Sequence, residues 1–283
     1  LPTAQIRDEL AALGGTRFTA PTRAGREVEA RHIAGTGAPV MISAGQHPNE
    51  TSPIIGALRA ARVLKDQGAA FTISPLENPD GYALHGRLVA DNPRHMHHAA
   101  RYTAFGDDLE YRQNPAALYE HGIRAQAEAL TAAQLHINLH GYPAHEWTRP
   151  LSGYVQRGFA MWTLPKGFFL VMRHREGWGD IARRLTEAVT ADLARNTALM
   201  DMNARQIALY GIHAGETGFE MINGLPCYIG HDPRHRVPLT LITEYPDETI
   251  YGDAYTAAHT SQMQTVLAAH AAWQQLASSD LLV

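Results

Sequence analysis

The 283-residue chain sets 24 Lys and Arg against 28 Asp and Glu, a formal charge of −4 that leaves no basic footprint for nucleic acid. Its 45% hydrophobic and 18% charged content is that of a globular protein, and no apolar run reaches the length of a membrane span. A single cysteine, Cys227, excludes an internal disulfide framework and a four-cysteine zinc site, whereas 16 histidines justify a search for metal-ligand spacing.

Leu1–Leu13 reads as an amphipathic helix rather than a signal peptide, although a processed leader stays open. Residues 1–24 are therefore expected as a helical extension of one domain spanning 1–283. For the compartment there is only a lean to the cytoplasm. Glu27–Ile33 and Pro39–Ala44 have strand patterns, the second a buried one through Val40, Met41 and Ile42. Pro53–Asp66 follows as a helix, with Ile54, Ile55, Leu58, Ala61 and Val63 near one face. Ala70–Ser74 is a short strand, and Asn114–Ala133 has helical spacing. In Gln134–Leu139, apolar Leu135, Ile137 and Leu139 alternate against His136 and Asn138. Trp178–Leu199 is expected as one long helix, Val237–Thr243 as a strand and Tyr255–Leu276 as the last helix. Strands alternating with helices predict an α/β sandwich on a parallel or mixed sheet, with its site outside the carboxyl ends of the strands.

Gly45-Gln46-His47-Pro48-Asn49-Glu50 lies at such an end, between a buried strand and a helix. An imidazole and a carboxylate three residues apart can grip one ion, and a catalytic zinc site takes three protein ligands. His213 and Glu216 repeat the spacing, but no buried strand leads into them, which marks them as a decoy. His140 closes the alternating strand just before the turn residues Gly141-Tyr142-Pro143 and is the best third ligand. His136 is better placed in the core, and His145 is too far along the chain for more than an outer role. Glu244 ends the strand Val237–Thr243, where a carboxylate is costly unless used, and suits a general base.

The order His47-x-x-Glu50, then Asn78-Pro79-Asp80-Gly81-Tyr82, then His140-Gly141-Tyr142, then Thr243-Glu244 resembles the zinc metallocarboxypeptidase family over residues 25–250. The resemblance implies a three-layer α/β/α sandwich with a mixed, roughly eight-stranded sheet. It also implies one zinc per chain on His47, Glu50 and His140, and a promoted-water attack on an amide with Glu244 as base. Arg87 takes the position of the arginine that polarises the scissile carbonyl, with Arg94 as its fallback. Tyr228 matches a tyrosine on a mobile loop before the catalytic glutamate, and Tyr210 or Tyr142 are its alternatives.

One part of the pattern departs. The family follows with Asp-x-Asn-Arg, whose Asn and Arg clamp the substrate's terminal carboxylate, whereas this chain has Asp108-Leu109-Glu110-Tyr111-Arg112. The expected substrate-binding set is thus Asn78, Glu110, Tyr111 and Arg112. Either a displaced Arg112, Arg149 or Arg101 supplies the clamp, or Glu110 faces an amine-bearing or uncharged substrate, and the second is preferred. The acidic Asp107-Asp108 is expected as a solvated loop. An insert carrying His95-Met96-His97-His98 raises a second metal, against which stands the adjacency of His97 and His98. The short interval from Glu50 to His140 is closer to the aspartoacylase and succinylglutamate desuccinylase type of deacylase, which is the enzymatic alternative. The substrate is accordingly a peptide or an acylated amino acid. A non-catalytic peptide- or metal-binding relative is the other class. No Gly-x-Ser-x-Gly elbow supports a serine hydrolase.

Overall fold

The computed structural model describes residues 1–112, 118–143, 165–234 and 237–279. Nine strands form one mixed sheet in the order β1-β2-β4-β3-β5-β9-β6-β8-β7 among the described residues. They are β1 Thr16–Pro21, β2 Glu27–Ile33, β3 Thr36–Ser43, β4 Ala69–Ser74, β5 Leu135–Pro143, β6 Phe169–His174, β7 Glu220–Ile222, β8 Leu225–His231 and β9 Leu239–Glu248. Parallel pairing joins β4, β3, β5 and β9 in the centre, and β1, β2 and β7 close the edges antiparallel. The sheet is open, and its mixed α/β architecture is the expected one with one strand more.

The pleat of β3 explains the layers. Val40 and Ile42 point into the main core with α2 (Ser52–Asp66) and α7 (Asp253–Ala277). Met41 points to the other face, against Ala127 of α4 (Gly122–Thr131). Residues 1–24 supply a helix, as expected, and also a strand. α1 (Thr3–Leu13) buries Ile6, Leu10 and Leu13 in the main core, and β1 pairs along its length with β2.

Local sequence explains three elements, of which the last two differ from expectation. The Asn-Pro-Asp-Gly stretch is the start of α3 (Pro79–Asp91), where Asn78 Oδ1 accepts from Gly81 N at 2.9 Å and Pro79 opens the first turn. The long helix expected over Trp178–Leu199 is two, α5 (Gly179–Leu193) and α6 (Thr197–Ala214). Asn196 caps the second by accepting from Leu199 N at 3.1 Å. The helix expected from Asn114 begins only at Gly122, after a 3₁₀ turn at Tyr119–His121; residues 113–117 lie outside the described residues. No described helix is long and apolar enough to cross a membrane.

Candidate active site

Three central strands deliver the site. β3 ends at Ser43 and hands the chain to the loop carrying His47 and Glu50 before α2. Gly45 is required there: its φ is +67°, and a side chain would press on Leu76 and the Pro75 carbonyl at 3.0 Å. β5 and β9 run parallel, and their register sets His140 beside Glu244. α7 anchors that step, because Gln262 Nε2 donates to the His140 carbonyl at 2.8 Å and its Oε1 accepts from Thr243 Oγ1 at 2.7 Å.

His47, Glu50 and His140 are buried, with their ligand atoms all within 4.8 Å of one another. They form the single such group among the described residues. His47 Nδ1 lies 3.0 Å from Glu50 Oε1, His140 Nδ1 lies 3.3 Å from Glu50 Oε2, and the two Nδ1 atoms are 3.1 Å apart. The outer nitrogen of each ring faces a carboxylate, at hydrogen-bond distance for His47 and at ion-pair distance for His140. His47 Nε2 faces Asp108 Oδ1 at 2.9 Å, and His140 Nε2 faces Glu110 Oε1 at 3.6 Å. A ring donating outward to a carboxylate turns its Nδ1 lone pair inward. With both rings neutral and protonated outward, two lone pairs and a carboxylate would meet at one point, an arrangement that a shared cation satisfies.

The charges agree. Burial alone would lower His140, but Glu110 and Glu50 outweigh it and push it up to about 10; His47 is raised by Glu50 and Asp108 against burial. Burial would raise Glu50, yet His47 and His140 hold it well below the usual carboxylate range. Asp108 is held at about 2, since His47 and Arg101 overcome its burial. The pocket therefore favours positive charge at its centre. Glu244 behaves oppositely: burial, then Glu50, push it up to about 7 against the pull of His140, Arg101 and His47. Such a carboxylate is basic enough to take a proton near neutral pH.

These groups open into a pocket of ≈ 460 Å³, in which His47, His140, Glu110 and Glu244 meet the apolar side chains of Phe169, Val171, Phe219 and Ile242. Arg101 lines it too, donating to Glu50 Oε1 at 3.1 Å and Asp108 Oδ2 at 3.0 Å. Arg87, expected to face the scissile carbonyl, is instead exposed on α3 and does not line the pocket. Fourteen residues further along the chain, past the end of α3 and a turn, Arg101 is the arginine that reaches the pocket instead. Arg101→Ala is expected to lower kcat/KM about 10²–10³-fold, the usual cost of an oxyanion donor, while Arg87→Ala leaves it unchanged. Steady-state kinetics on both variants decide between them.

The other expected residues are placed as follows. Tyr228 lines the pocket, but from strand β8 rather than a loop, with the Arg173 guanidinium 4.7 Å from its ring centre. Tyr142 is buried, its hydroxyl donating to the Gly167 carbonyl, and Tyr210 is buried outside this pocket. Tyr111 stands at the rim, 60% exposed. Arg112 is not a clamp, because its side chain is buried in a separate network with Asp107 and Glu120 at 2.7 and 2.9 Å. Asn78 is not a substrate contact either. Beyond capping α3, its Nδ2 reaches the carbonyls of Gln46, Arg101 and Tyr102, which locks the ligand loop to the turn bearing Arg101.

Glu110 is the largest change of role. Arg124 Nη2 donates to its Oε1, Asn138 Nδ2 donates to Oε2 at 3.1 Å, and Arg124 is backed by Glu77 at 2.8 Å. Both oxygens are engaged, and the charge is neutralised from behind. Arg149 and His145 lie outside the described residues. Sequence reading missed Arg124, Glu77 and the pocket cations Lys166, Arg173 and Arg234, whose neighbours carry no local motif. It also took Asp108 as a solvated acid, although its place two residues before Glu110 in the Asp-x-Asn-Arg stretch was the available signal.

Comparison with known proteins bears on the fold. No family model matches the sequence, and no curated protein matches it. Among solved structures, one from Shewanella denitrificans, provisionally named a metallopeptidase, superposes with TM-score 0.56 at 17% identity, covering 95% of this chain and 89% of that one. A metallo-carboxypeptidase from Pseudomonas aeruginosa in complex with (2-guanidinoethylmercapto)succinic acid gives 0.55 at 14%, covering 95% and 68%. Carboxypeptidase A from Helicoverpa armigera gives 0.58 at 12%, covering 98% and 73%. The chain has the carboxypeptidase A-like fold.

Proposed function

We propose that this carboxypeptidase A-like chain is a zinc-dependent hydrolase of amide bonds in peptides or acylated amino acids. The observation that carries the reading is the convergence of the His47 and His140 Nδ1 atoms and the Glu50 carboxylate beside a basic, half-buried Glu244. Two imidazoles and a carboxylate suit zinc. When bound, the ion supplies Lewis acidity and makes a water nucleophilic. Asp108 holds His47 in its tautomer, and the Gly141 N–H, at 2.9 Å from Glu50 Oε2, fixes the carboxylate. Glu244 takes the proton of the attacking water and returns it to the leaving amine. Arg101, already oriented by Asp108, offers N–H groups to the carbonyl oxygen as its charge grows.

Recognition then differs from the usual clamp. With Glu110 engaged and Arg112 buried elsewhere, the cations on the pocket wall besides Arg101 are Lys166, Arg173 and Arg234, the last paired with Asp232, beside an apolar surface from Phe169, Val171 and Ile242. This favours a substrate with an apolar group and a carboxylate over one bearing an amine. A panel of N-acyl amino acids, free dipeptides and carboxyl-blocked peptides tests the reading. Cleavage confined to free-carboxylate substrates is expected, and turnover only of blocked or amine-bearing ones would overturn the recognition half.

Glu110→Gln is expected to act through the metal rather than through substrate choice. A carboxylate behind a ligating histidine is worth about 10–100-fold in metal affinity. Chelator competition should show that loss, with the order of substrate preference unchanged. Wild-type metal affinity with an altered preference would return Glu110 to the recognition role.

A further inference from the structure

Beside α3, and distinct from the pocket above, lies a cavity of ≈ 290 Å³ lined by His85, His95, His97, Asn49, Asp247 and Tyr255, among others. Four of its lining side chains bury polar atoms that no hydrogen bond satisfies: His85 Nδ1, His97 Nε2, Asp247 Oδ1 and the side-chain amide of Asn49. Orphaned buried nitrogens are rare and costly unless something outside the chain completes them. We propose that this cavity is a second transition-metal site, with His85 and His97 as its fixed ligands and His95 as the third.

The rings are spaced for it. His85 and His97 have centroids 5.5 Å apart, and His95 and His97 6.0 Å. Two imidazoles sharing one tetrahedral zinc, with Zn–N near 2.0 Å, place their centroids roughly 5 Å apart. In the first site His47 and His140 stand at 4.8 Å. The His95 Nδ1 proton is donated to the Met96 carbonyl at 2.5 Å, which leaves its Nε2 lone pair for a ligand bond. His95 is the exposed member, and its side chain must rotate inward, because the three donor sets do not yet converge as tightly as in the first site.

The adjacency of His97 and His98 is no obstacle. His98 turns away to pack edge-on against Tyr102, with ring centroids 5.9 Å apart. Its place is taken by His85, which comes from α3 a full turn beyond Tyr82. An ion here would brace the segment leading into the 3₁₀ turn His98–Arg101, and so the arginine that faces the first site.

The test uses untagged full-length protein stripped by chelator and titrated with Zn²⁺ and Co²⁺. Wild type is expected to take one tight and one weaker equivalent. His97→Ala and His85→Gln should each lose the weaker equivalent and keep the tight one, while His47→Ala should do the reverse. Far-UV circular dichroism of the metal-free variants checks that each is folded. Saturation of wild type at one equivalent, or a weaker equivalent that survives in both folded variants, overturns the proposal. Absence of the tight equivalent with the weaker one retained would overturn the proposed function and leave this second site standing.

Discussion

Replacing Glu244 by glutamine is expected to lower kcat about 10³–10⁴-fold while zinc content stays at the wild-type level. Glutamine keeps the shape and cannot accept the proton. Glu244 sits beside His140 in the strand register but is not one of the three convergent ligands, which is why chemistry and metal content separate. The same carboxylate sets the acid limb of the pH profile. Burial and Glu50 push it up to about 7, and only its ionised form serves as base. Activity should therefore rise with pH through a value at or below about 7 and level off above it. A cation bound nearby moves that limb to lower pH and never to higher. Undiminished turnover in the glutamine variant would remove Glu244 from the base role.

His140→Ala is expected to abolish both activity and tight metal binding. Two ligands remain, and neither His47 nor Glu50 can close a tetrahedral site without a third. The loss reaches further than one bond. Glu50 and Glu110 would be left in a buried pocket without the imidazole that compensates them, so the folded protein should also be less stable. Metal analysis after dialysis and a thermal unfolding curve read the two effects separately. Unchanged metal stoichiometry would point to another third ligand. His136 is then excluded by position, since it is turned to Ser43 at 2.6 Å.

The metal half of the site was legible in the sequence because it is local. His47 and Glu50 share one loop, and His140 and Glu244 each end a strand whose apolar pattern is plain. Strand ends of a parallel sheet converge, so their residues meet without any further signal. The recognition half was not legible because it depends on partners far along the chain. Glu110 reads as a free acid until Arg124, Asn138 and Glu77 are seen around it. Arg101 and Arg87 are equivalent in a string of letters, and only the path of α3 and the following turn decides which reaches the pocket. Tyr228 was expected on a loop because Asn223, Gly224 and Pro226 punctuate the stretch. The structure spends the first two on a tight turn, with Asn223 and Gly224 both at positive φ, between β7 and β8. The N-terminal strand β1 escaped notice because its alternation is weak and its partner lies across a hairpin.

The measurement that bears most directly on the central claim is the return of activity as zinc is added to the chelator-stripped protein, with a free-carboxylate N-acyl amino acid or dipeptide as substrate. Hydrolysis that is absent in the stripped protein and complete at one tight equivalent is the predicted result. Hydrolysis that persists without metal, or a protein that takes no tight equivalent at His47, Glu50 and His140, would contradict it.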